Sequence, residues 1–253
     1  MRAIEIQAGF DKDGAPESFG LLRLHAGRMY AVVGDTGSGK SRFIKDIEQI
    51  ADGDSPTRRR VSIDGEVLAP DRRALLERSL IAHVGQSMRF VLDVTVERFV
   101  AMHKLCRPCE AGLGEVLELA NAITSERIRA HDGLSALSGG QTRALMVADV
   151  ALICDSPVVL VDEIENAGID KRVALEALCG ADKTVLAVTH DAHTALMADE
   201  RIVMKNGAVR CVRRRTAAER DTFAELESLY KTQCRLQAAL REGEELAWAP
   251  HAR

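Results

Sequence analysis

The 253-residue sequence lacks any stretch that approaches the roughly 18 consecutive apolar residues needed for a membrane-spanning helix. Its first fourteen residues, MRAIEIQAGFDKDG, carry a charge every few positions and lack the apolar core of a signal peptide. These two absences predict a protein of the cytoplasm. Thiols are reduced in that compartment, so we expect no disulfide framework from the six cysteines.

An excess of positive charge and a supply of aromatic side chains are also missing. Lys and Arg number 34 against 38 Asp and Glu, a net charge of −4, and aromatic residues make up only 4% of the chain. Nucleic-acid-binding domains usually carry a basic patch, and single-strand binders stack bases on aromatic rings. We therefore expect no nucleic-acid partner, and we interpret the basic runs Arg58–Arg60 and Arg213–Arg215 as solvated faces.

One pair of cysteines has the spacing of a metal site. Cys106 and Cys109 form a C-x-x-C pattern, which in structural zinc sites is accompanied by a second pair. The sequence contains no second C-x-x-C, so we interpret these residues as ordinary thiols of a helical segment.

Segments typical of strands alternate with segments typical of helices. Val158–Val161 and Thr184–Val188 are apolar runs without alternation, as in strands buried on both faces of a parallel sheet, and Asp170–Cys179 between them has helical spacing. The pattern favours an α/β fold. Further predicted strands are Met1–Gln7, Met29–Val33, Val61–Ile63, Leu80–Val84 and a hairpin of Arg201–Met204 with Ala208–Val212; further predicted helices are Lys40–Ala51, Val96–Leu105, Leu113–Ile123, Gly139–Ile153 and Ala217–Leu246.

A phosphate-binding loop is encoded where a predicted strand meets a predicted helix. The pattern G-x-x-x-x-G-K-[ST] is matched in full by Gly34, Asp35, Thr36, Gly37, Ser38, Gly39, Lys40 and Ser41. Such a loop turns its backbone N–H groups toward phosphate oxygens at the positive end of the following helix. Lys40 supplies a point charge for the phosphates, and the Ser41 hydroxyl is a candidate Mg²⁺ ligand.

Two acidic residues end the apolar strand Val158–Val161. Asp162 is a candidate to hold Mg²⁺ through water, and Glu163 a candidate to polarise the attacking water. A solvated strand end would look similar in isolation. Together with the phosphate loop, the pair indicates a nucleoside triphosphatase.

With Leu137, Ser138, Gly139, Gly140 and Gln141 the chain resembles the nucleotide-binding subunit of ATP-binding cassette (ABC) proteins, because LSGGQ is identical to the signature of that family. GDTGSGKS and VVLVDE resemble its Walker A and Walker B motifs. Gln86 resembles the glutamine of the Q-loop, and His190 resembles the switch histidine. The five motifs occur in the family's order, and the resemblance covers about residues 1–212.

The resemblance implies a fold and a division of the chain. We expect an α/β phosphate-loop NTPase core of the ABC type, with a helical signature subdomain and a C-terminal helical tail. Residues 1–86 and 145–212 would form the RecA-like ATP-binding core, 87–144 the helical subdomain that carries the signature, and 213–253 the tail.

The resemblance also implies hydrolysis of Mg-ATP between two subunits that pack head to tail. Leu137–Gln141 of one subunit would contact the γ-phosphate held by Lys40 of a second copy or of a paired ABC subunit. Glu163, His190 and Gln86 would be catalytic, and Mg²⁺ would be held by Ser41, Gln86 and Asp162. Adenine would stack on an aromatic residue about thirty positions before Lys40, which favours Phe10; Phe19 competes, and core packing or neither stays open.

The chain departs from the family at two places. Ile164 stands where a proline is usual after Glu163, and the loop to Asp170, which in the family crosses the contact between subunits, is one residue longer. On the helix after the signature, Asp149 stands where an arginine is common.

The sequence leaves two biological roles open and favours the first. The first is the ATP-binding subunit of a membrane transporter, peripheral on the inner face of the membrane, with permease subunits docking beside the Q-loop. The second is a non-transport ABC ATPase that acts on a protein or nucleic-acid assembly. For the first role we expect an exposed apolar patch at Met88, Phe90, Val91 and Leu92, although Phe90 and Leu92 could instead pack into the subdomain.

Overall fold

The computed structural model describes residues 1–77, 79–85, 88–107, 109–164 and 169–246. The chain divides into two compact units, Met1–Arg214 and Arg215–Arg253. The first unit contains two sheets and seven helices in its described part. The second unit contains one long helix in its described part.

In the described part of the chain the larger sheet has six strands in the order β5-β6-β7-β3-β8-β9, and all of its neighbouring strands are parallel except β8 and β9. The central strands are buried along nearly their whole length, which explains why their sequences show no polar alternation. The strands are β3 (Met29–Val33), β5 (Ile81–Val84), β6 (Val158–Asp162), β7 (Thr184–Val188), β8 (Glu200–Lys205) and β9 (Ala208–Arg214).

The smaller sheet is antiparallel, with the order β2-β1-β4. Its strands are β1 (Ala3–Gln7), β2 (Leu21–His25) and β4 (Arg60–Ile63). In β2 the buried Leu22 and Leu24 alternate with exposed residues, so one face of this sheet points to the core.

Side-chain caps mark the starts of helices in the first unit. Ser138 accepts a hydrogen bond from the N–H of Gln141 and caps its helix, and Asp170 caps the next one. The helices are α1 (Lys40–Glu48), α2 (Pro70–Leu76), α3 (Val96–Cys106), α4 (Leu113–Ile123), α5 (Gly139–Leu152), α6 (Lys171–Gly180) and α7 (Ala192–Met197).

The described residues of the first unit form two hydrophobic clusters. One joins α3, α4, α5 and α6 to the large sheet, with Leu145 and Val159 among its fully buried members. The other joins the small sheet and α1 to the large sheet, with Ile6, Phe43 and Ile202 fully buried. The second cluster fixes the small sheet beside the segment that follows β3.

The tail forms α8 (Ala217–Glu242), which begins with a Thr216–Glu219 capping box and ends at Gly243 in the left-handed conformation. The predicted helix Ala217–Leu246 is thus four residues too long. No described helix is long and apolar enough to cross a bilayer.

The expected α/β class and nearly all of the elements predicted from the sequence are confirmed within two residues at their ends. Strand β2 and helices α2 and α7 were not predicted. The expectation that Arg58–Arg60 is a solvated face is wrong for its middle member, because Arg59 is completely buried.

Leu145→Ala should destabilise the first unit by about 2–5 kcal/mol, because it opens a cavity at a fully buried position of α5. Leu105→Ala is the matched control, since Leu105 is 84% exposed on α3; its change should stay within about 0.5 kcal/mol. Equilibrium unfolding in urea measures both. Equal losses would contradict the assigned core.

Candidate nucleotide-binding site

The phosphate loop connects the end of β3 to the start of α1. Gly34, Gly37 and Gly39 all have positive φ angles, which side-chain-bearing residues rarely adopt. At Gly39 an added Cβ would lie 2.6 Å from Cα of Gly207, in the turn between β8 and β9. The glycines therefore serve both the curl of the loop and its close contact with that turn.

Lys40 lies inside the loop. Its Nζ donates to the carbonyl oxygens of Gly34 at 2.6 Å and Asp35 at 3.1 Å, and it lies 3.5 Å from Nε2 of His190. The two carbonyl oxygens hold the ammonium group inside the loop. The structure thus brings His190, 150 positions along the chain, to the predicted phosphate site.

Ser38 provides a test of whether the loop suits a phosphate. Its Oγ is buried and has no hydrogen-bond partner among the described residues. A buried hydroxyl without a partner is costly, and a phosphate oxygen is a suitable acceptor for it. Ser41, one residue into α1, is exposed. Its hydroxyl and the carboxylate of Asp162 are the oxygen ligands that Mg²⁺ prefers, so the donor set fits Mg-ATP.

The two predicted acids lie at the carboxyl end of β6. Asp162 pairs in register with Val188 of β7 and is exposed. Glu163 has a φ of 49°, a left-handed conformation that is strained for this residue, and its N–H donates to the carbonyl of Val188 at 3.1 Å. The strand order puts β7, with His190 just beyond its end, between these acids and the phosphate loop.

The segment after His190 is anchored by an ion pair. Asp191 caps α7 through Thr194 and contacts Lys171 of α6, with 2.5 Å between Oδ2 and Nζ. Burial would raise the pKa of Asp191, but the hydrogen bonds from Lys171 and Thr194 outweigh burial and lower the pKa to about 2. The stabilisation from this depressed pKa is present above the ordinary value of 3.8 and is lost as the pH falls toward 2.

The signature residues begin α5. The side chains of Ser138 and Gln141 form a reciprocal capping box, and Ser138 Oγ also contacts Oε2 of Glu126 at 2.5 Å. An added Cβ on Gly139 would meet nothing within 4 Å. No crowding within the described chain therefore requires glycine at this position. Leu137 and Gly140, the other members of this stretch, are half-buried.

Gln86 and most of the loop after Ile164 lie outside the described residues. Ile164 itself is 2% exposed and packs into the core, where the family's proline is replaced by an apolar side chain. Gly85, just before Gln86, accepts a hydrogen bond from Nη2 of Arg143 at 3.2 Å. The signature helix is therefore tied to the start of the predicted Q-loop.

The unusual Asp149 has a structural partner. Its carboxylate oxygens lie 2.8 and 3.0 Å from Nδ1 of His103 on α3. Burial raises the pKa of Asp149, and the nearby His103 offsets part of that effect. The pair joins α3 to the signature helix.

The two candidate adenine platforms differ in position. Phe10 is 37% exposed, and Lys12, two residues later, donates from Nζ to the carbonyl of Gly37 in the phosphate loop at 2.6 Å. The guanidinium of Arg58 lies 5.8 Å from the centre of the Phe10 ring. Phe19 instead packs against the second hydrophobic cluster. The geometry supports Phe10.

Sequence reasoning missed a buried ionic cluster beneath this site. Arg59 contacts both Glu17 and Asp46, and all three side chains are fully buried. A run of three arginines resembles a solvated face, and the partners are 42 and 13 positions away. The one signal in the sequence is that Asp46 lies three residues after Phe43 and four before Ile50, on the apolar face of α1.

Comparison with known proteins identifies the family. The sequence profile of the ABC transporter family matches residues 21–166. An uncharacterised ABC transporter ATP-binding protein of Methanocaldococcus jannaschii is 45% identical over 97% of this chain and 95% of its own length. The chain belongs to the ABC transporter family, as one of its ATP-binding proteins.

More distant relatives have diverse names. An energy-coupling factor transporter ATP-binding protein of Staphylococcus aureus is 28% identical, over 72% of this chain and 67% of its own. An ATP-dependent lipid A-core flippase of Xanthomonas campestris pv. campestris is 32% identical over 80% of this chain, which spans about a third, 34%, of the flippase.

Solved structures agree with the fold. The ABC transporter subunit cbiO1 of Clostridium perfringens has a TM-score of 0.63 at 21% identity, over 93% of this chain and 96% of its own. A second ATP-binding subunit of an ABC transporter gives the same TM-score at 20% identity, over 90% and 98%. The expected ABC-type phosphate-loop NTPase fold is confirmed.

Lys40→Ala should abolish ATP binding, because the phosphates lose their cation. The same loss of charge should remove about 2–4 kcal/mol of transition-state stabilisation. Lys45→Ala is the control, since Lys45 is exposed on the same helix. Calorimetric titration with Mg-ATP and a phosphate-release assay measure both variants. Wild-type turnover by Lys40→Ala would show that the phosphate-loop assignment is wrong.

Proposed function

We propose that the chain binds and hydrolyses Mg-ATP and thereby powers a membrane transporter. The proposal of ATP hydrolysis rests on the short distance between His190 and Lys40, 3.5 Å from Nε2 to Nζ. Together with the strand order, this contact places the phosphate loop, the switch histidine and the Walker B acids at one edge of the sheet. ABC ATP-binding proteins are ATPases in general, and the motif residues are all present in this chain.

In the proposed reaction Lys40 and the loop amides hold the phosphates, and Ser38 donates its free hydroxyl to a phosphate oxygen. Ser41 and Asp162, with Gln86, would hold Mg²⁺, which neutralises charge on the phosphates when bound. Glu163 accepts a proton from the attacking water or orients it, and His190 turns from Lys40 to the γ-phosphate.

The proposed site needs a second chain. Gly139 stands at the start of a helix, and nothing in the described chain crowds it. A phosphate bound to a second chain and approaching this helix N-terminus would explain the glycine. Such a phosphate needs close access to the backbone and is attracted by the positive end of the helix. We infer that Leu137–Gln141 close the site of a second copy or a paired ABC subunit, in a head-to-tail arrangement.

We also propose the division expected from the family. Residues 1–86 and 145–212 would form the ATP-binding core, 87–144 the helical signature subdomain and 213–253 the tail. The contact between Arg143 and Gly85 is then a link between the two parts of the first unit, by which the Q-loop would sense the signature helix.

The transport role is supported by the relatives' names and by an exposed apolar patch. Val91 is 97% exposed, Leu92 45% and Met88 42%. These three residues are defined here as the apolar patch. It borders a cleft of about 500 Å³ whose lining includes Met88 and Arg143. A permease subunit is the proposed occupant, and the chain would then lie at the inner membrane face.

The sequence predicts Phe90 in this patch, but Phe90 does not belong to it. Its ring packs edge-on against Phe99, with 4.9 Å between centroids, and contacts the first hydrophobic cluster. The alternative that Phe90 packs against the core instead of lying in the patch is therefore correct, and the same alternative is wrong for Leu92, which is 45% exposed.

Glu163→Gln should retain ATP binding and lose turnover, because an amide cannot accept the water's proton. It also removes a negative charge near the γ-phosphate, so Mg-ATP should trap a dimer. Size-exclusion chromatography with light scattering measures the mass. Lys40→Ala combined with Glu163→Gln is the control and should stay monomeric. A monomer for Glu163→Gln at micromolar concentration with ATP bound would contradict the homodimer.

Val91→Ser with Leu92→Ser should leave the basal ATPase rate unchanged and reduce co-sedimentation with membranes from the native cells. The matched control is Val67→Ser with Leu75→Ser, two exposed apolar residues elsewhere on the first unit. If the wild type never sediments with membranes and co-purifies with a soluble assembly, the transporter role is wrong and the non-transport ATPase replaces it.

A further inference from the structure

A buried ionic cluster lies next to the proposed nucleotide site without entering the proposed chemistry. Arg59 donates from Nε and Nη2 to the two carboxylate oxygens of Glu17, at 2.9 and 2.6 Å, and from Nη1 to Asp46 at 3.0 Å. The guanidinium also stacks 5.4 Å from the ring centre of Phe43. These side chains of Glu17, Asp46 and Arg59 are defined here as the Arg59 cluster.

The cluster holds the loop that carries Phe10. Glu17 ends this loop, and its carboxylate also accepts the N–H of Gly9 at 2.9 Å. The N–H of Phe10 itself donates to the carbonyl of Thr57 at 2.7 Å, two residues before Arg59. Gly9 has no room for a side chain, since an added Cβ would lie 2.0 Å from that same carbonyl oxygen. The Phe10 loop is thus fixed directly on the segment that contains Arg59.

The cluster also holds the turn that supports the phosphate loop. Arg59 Nη2 donates to the carbonyl of Gly207 at 2.6 Å, and Glu17 accepts the N–H of Val209 at 2.6 Å. The N–H of Gly207 donates in turn to the carbonyl of Ser38 at 2.7 Å. One guanidinium therefore connects, through a single turn, to the backbone of the phosphate loop.

Helix α1 is the third element bound to the cluster. Asp46 lies on α1, six residues after Lys40, and also accepts hydrogen bonds from Arg42 at 2.9 Å and Thr57 at 2.7 Å. The charges of the cluster balance once Arg42 is included. Three segments that border the proposed site, far apart in sequence, thus meet at Arg59.

Such a cluster is poorly explained by stability alone. Replacing buried ion pairs with well-packed apolar residues is often neutral or stabilising, so their presence is weak evidence of a stabilising role. The planar fork of arginine instead fixes direction and distance, which apolar contacts do not. Lysine could not reach Glu17, Asp46 and Gly207 in the same geometry.

We propose that Arg59 is a positioning residue that sets the spacing between the Phe10 loop and the phosphate loop, so that the base and the phosphates of one nucleotide are held together. The inference rests on the proposed function, in which ATP binds at Lys40 with its base on Phe10. Arg59 itself is buried and touches no nucleotide in this account.

The test compares ligands with and without a base. Arg59→Lys should lower the affinity for Mg-ATP about fivefold or more, because that is the contribution of one base–aromatic stack. The same variant should change the affinity for inorganic tripolyphosphate, which has no base, by less than about twofold. Arg60→Lys is the matched control, because the Arg60 side chain is 63% exposed, and it should bind both ligands as the wild type does. Isothermal titration is run at a temperature where circular dichroism shows each variant folded.

A double-mutant cycle links the effect to the base. Phe10→Ala should weaken ATP binding by a similar factor, and adding Arg59→Lys to it should cost less than about twofold more, because both changes remove the same contact. If Arg59→Lys does not fold, Glu17→Gln keeps the side-chain volume, removes the charge facing Arg59 and takes its place in the cycle.

The outcomes separate this inference from the proposed function. Equal losses for ATP and tripolyphosphate, additive losses with Phe10→Ala, or wild-type ATP binding by Arg59→Lys would each overturn the positioning role while ATP binding by the wild type stands. Failure of the wild-type protein to bind Mg-ATP would overturn the proposed function, and the inference with it. A loss confined to ATP that vanishes in the Phe10→Ala background supports the positioning role.

Discussion

The close packing of the phosphate loop against the β8–β9 turn is the constraint on which the site depends. An added Cβ on Gly39 would lie 2.6 Å from Cα of Gly207, so the loop has no space for a side chain where it meets the turn. The N–H of Gly207 then donates to the loop at Ser38, and the loop holds Lys40 by its own carbonyls. A bulkier residue at Gly39 would separate the two segments and displace the start of α1. Lys40, whose charge is proposed to bind phosphate, would move with it.

The parallel sheet brings the remaining chemistry to the same edge. Strands β6, β7 and β3 lie side by side, so the acids after β6, His190 after β7 and the phosphate loop after β3 share one end of the sheet. The antiparallel sheet adds Phe10 beside that edge, whereas the signature lies at the start of α5. Each part is held by local contacts of its own, and the proposed reaction joins them only when a second chain supplies a signature.

Contiguous patterns made most of this predictable. The phosphate loop, the acids after β6 and the signature each lie within eight residues of sequence, and their strand and helix context follows from apolar periodicity. Arg59 could not be predicted, because it lies in a run of arginines and its contacts with Glu17, Asp46 and Gly207 span distant segments. Strand β2 was missed for a related reason: its pairing with β1, across the Phe10 loop, decides its conformation more than its short, mixed sequence does.

The central claim is that one ATP site needs residues of two chains, and subunit mixing tests it most directly. Lys40→Ala and Ser138→Arg chains should each be inactive alone. In a mixed dimer, the intact Lys40 of one chain faces the intact Ser138 of the other, so one of the two sites is complete. About half of the dimers in an equimolar mixture are mixed, so the mixture should recover about a quarter of wild-type ATPase activity. A mixture that stays as inactive as its components, although mass analysis shows mixed dimers, would contradict the account.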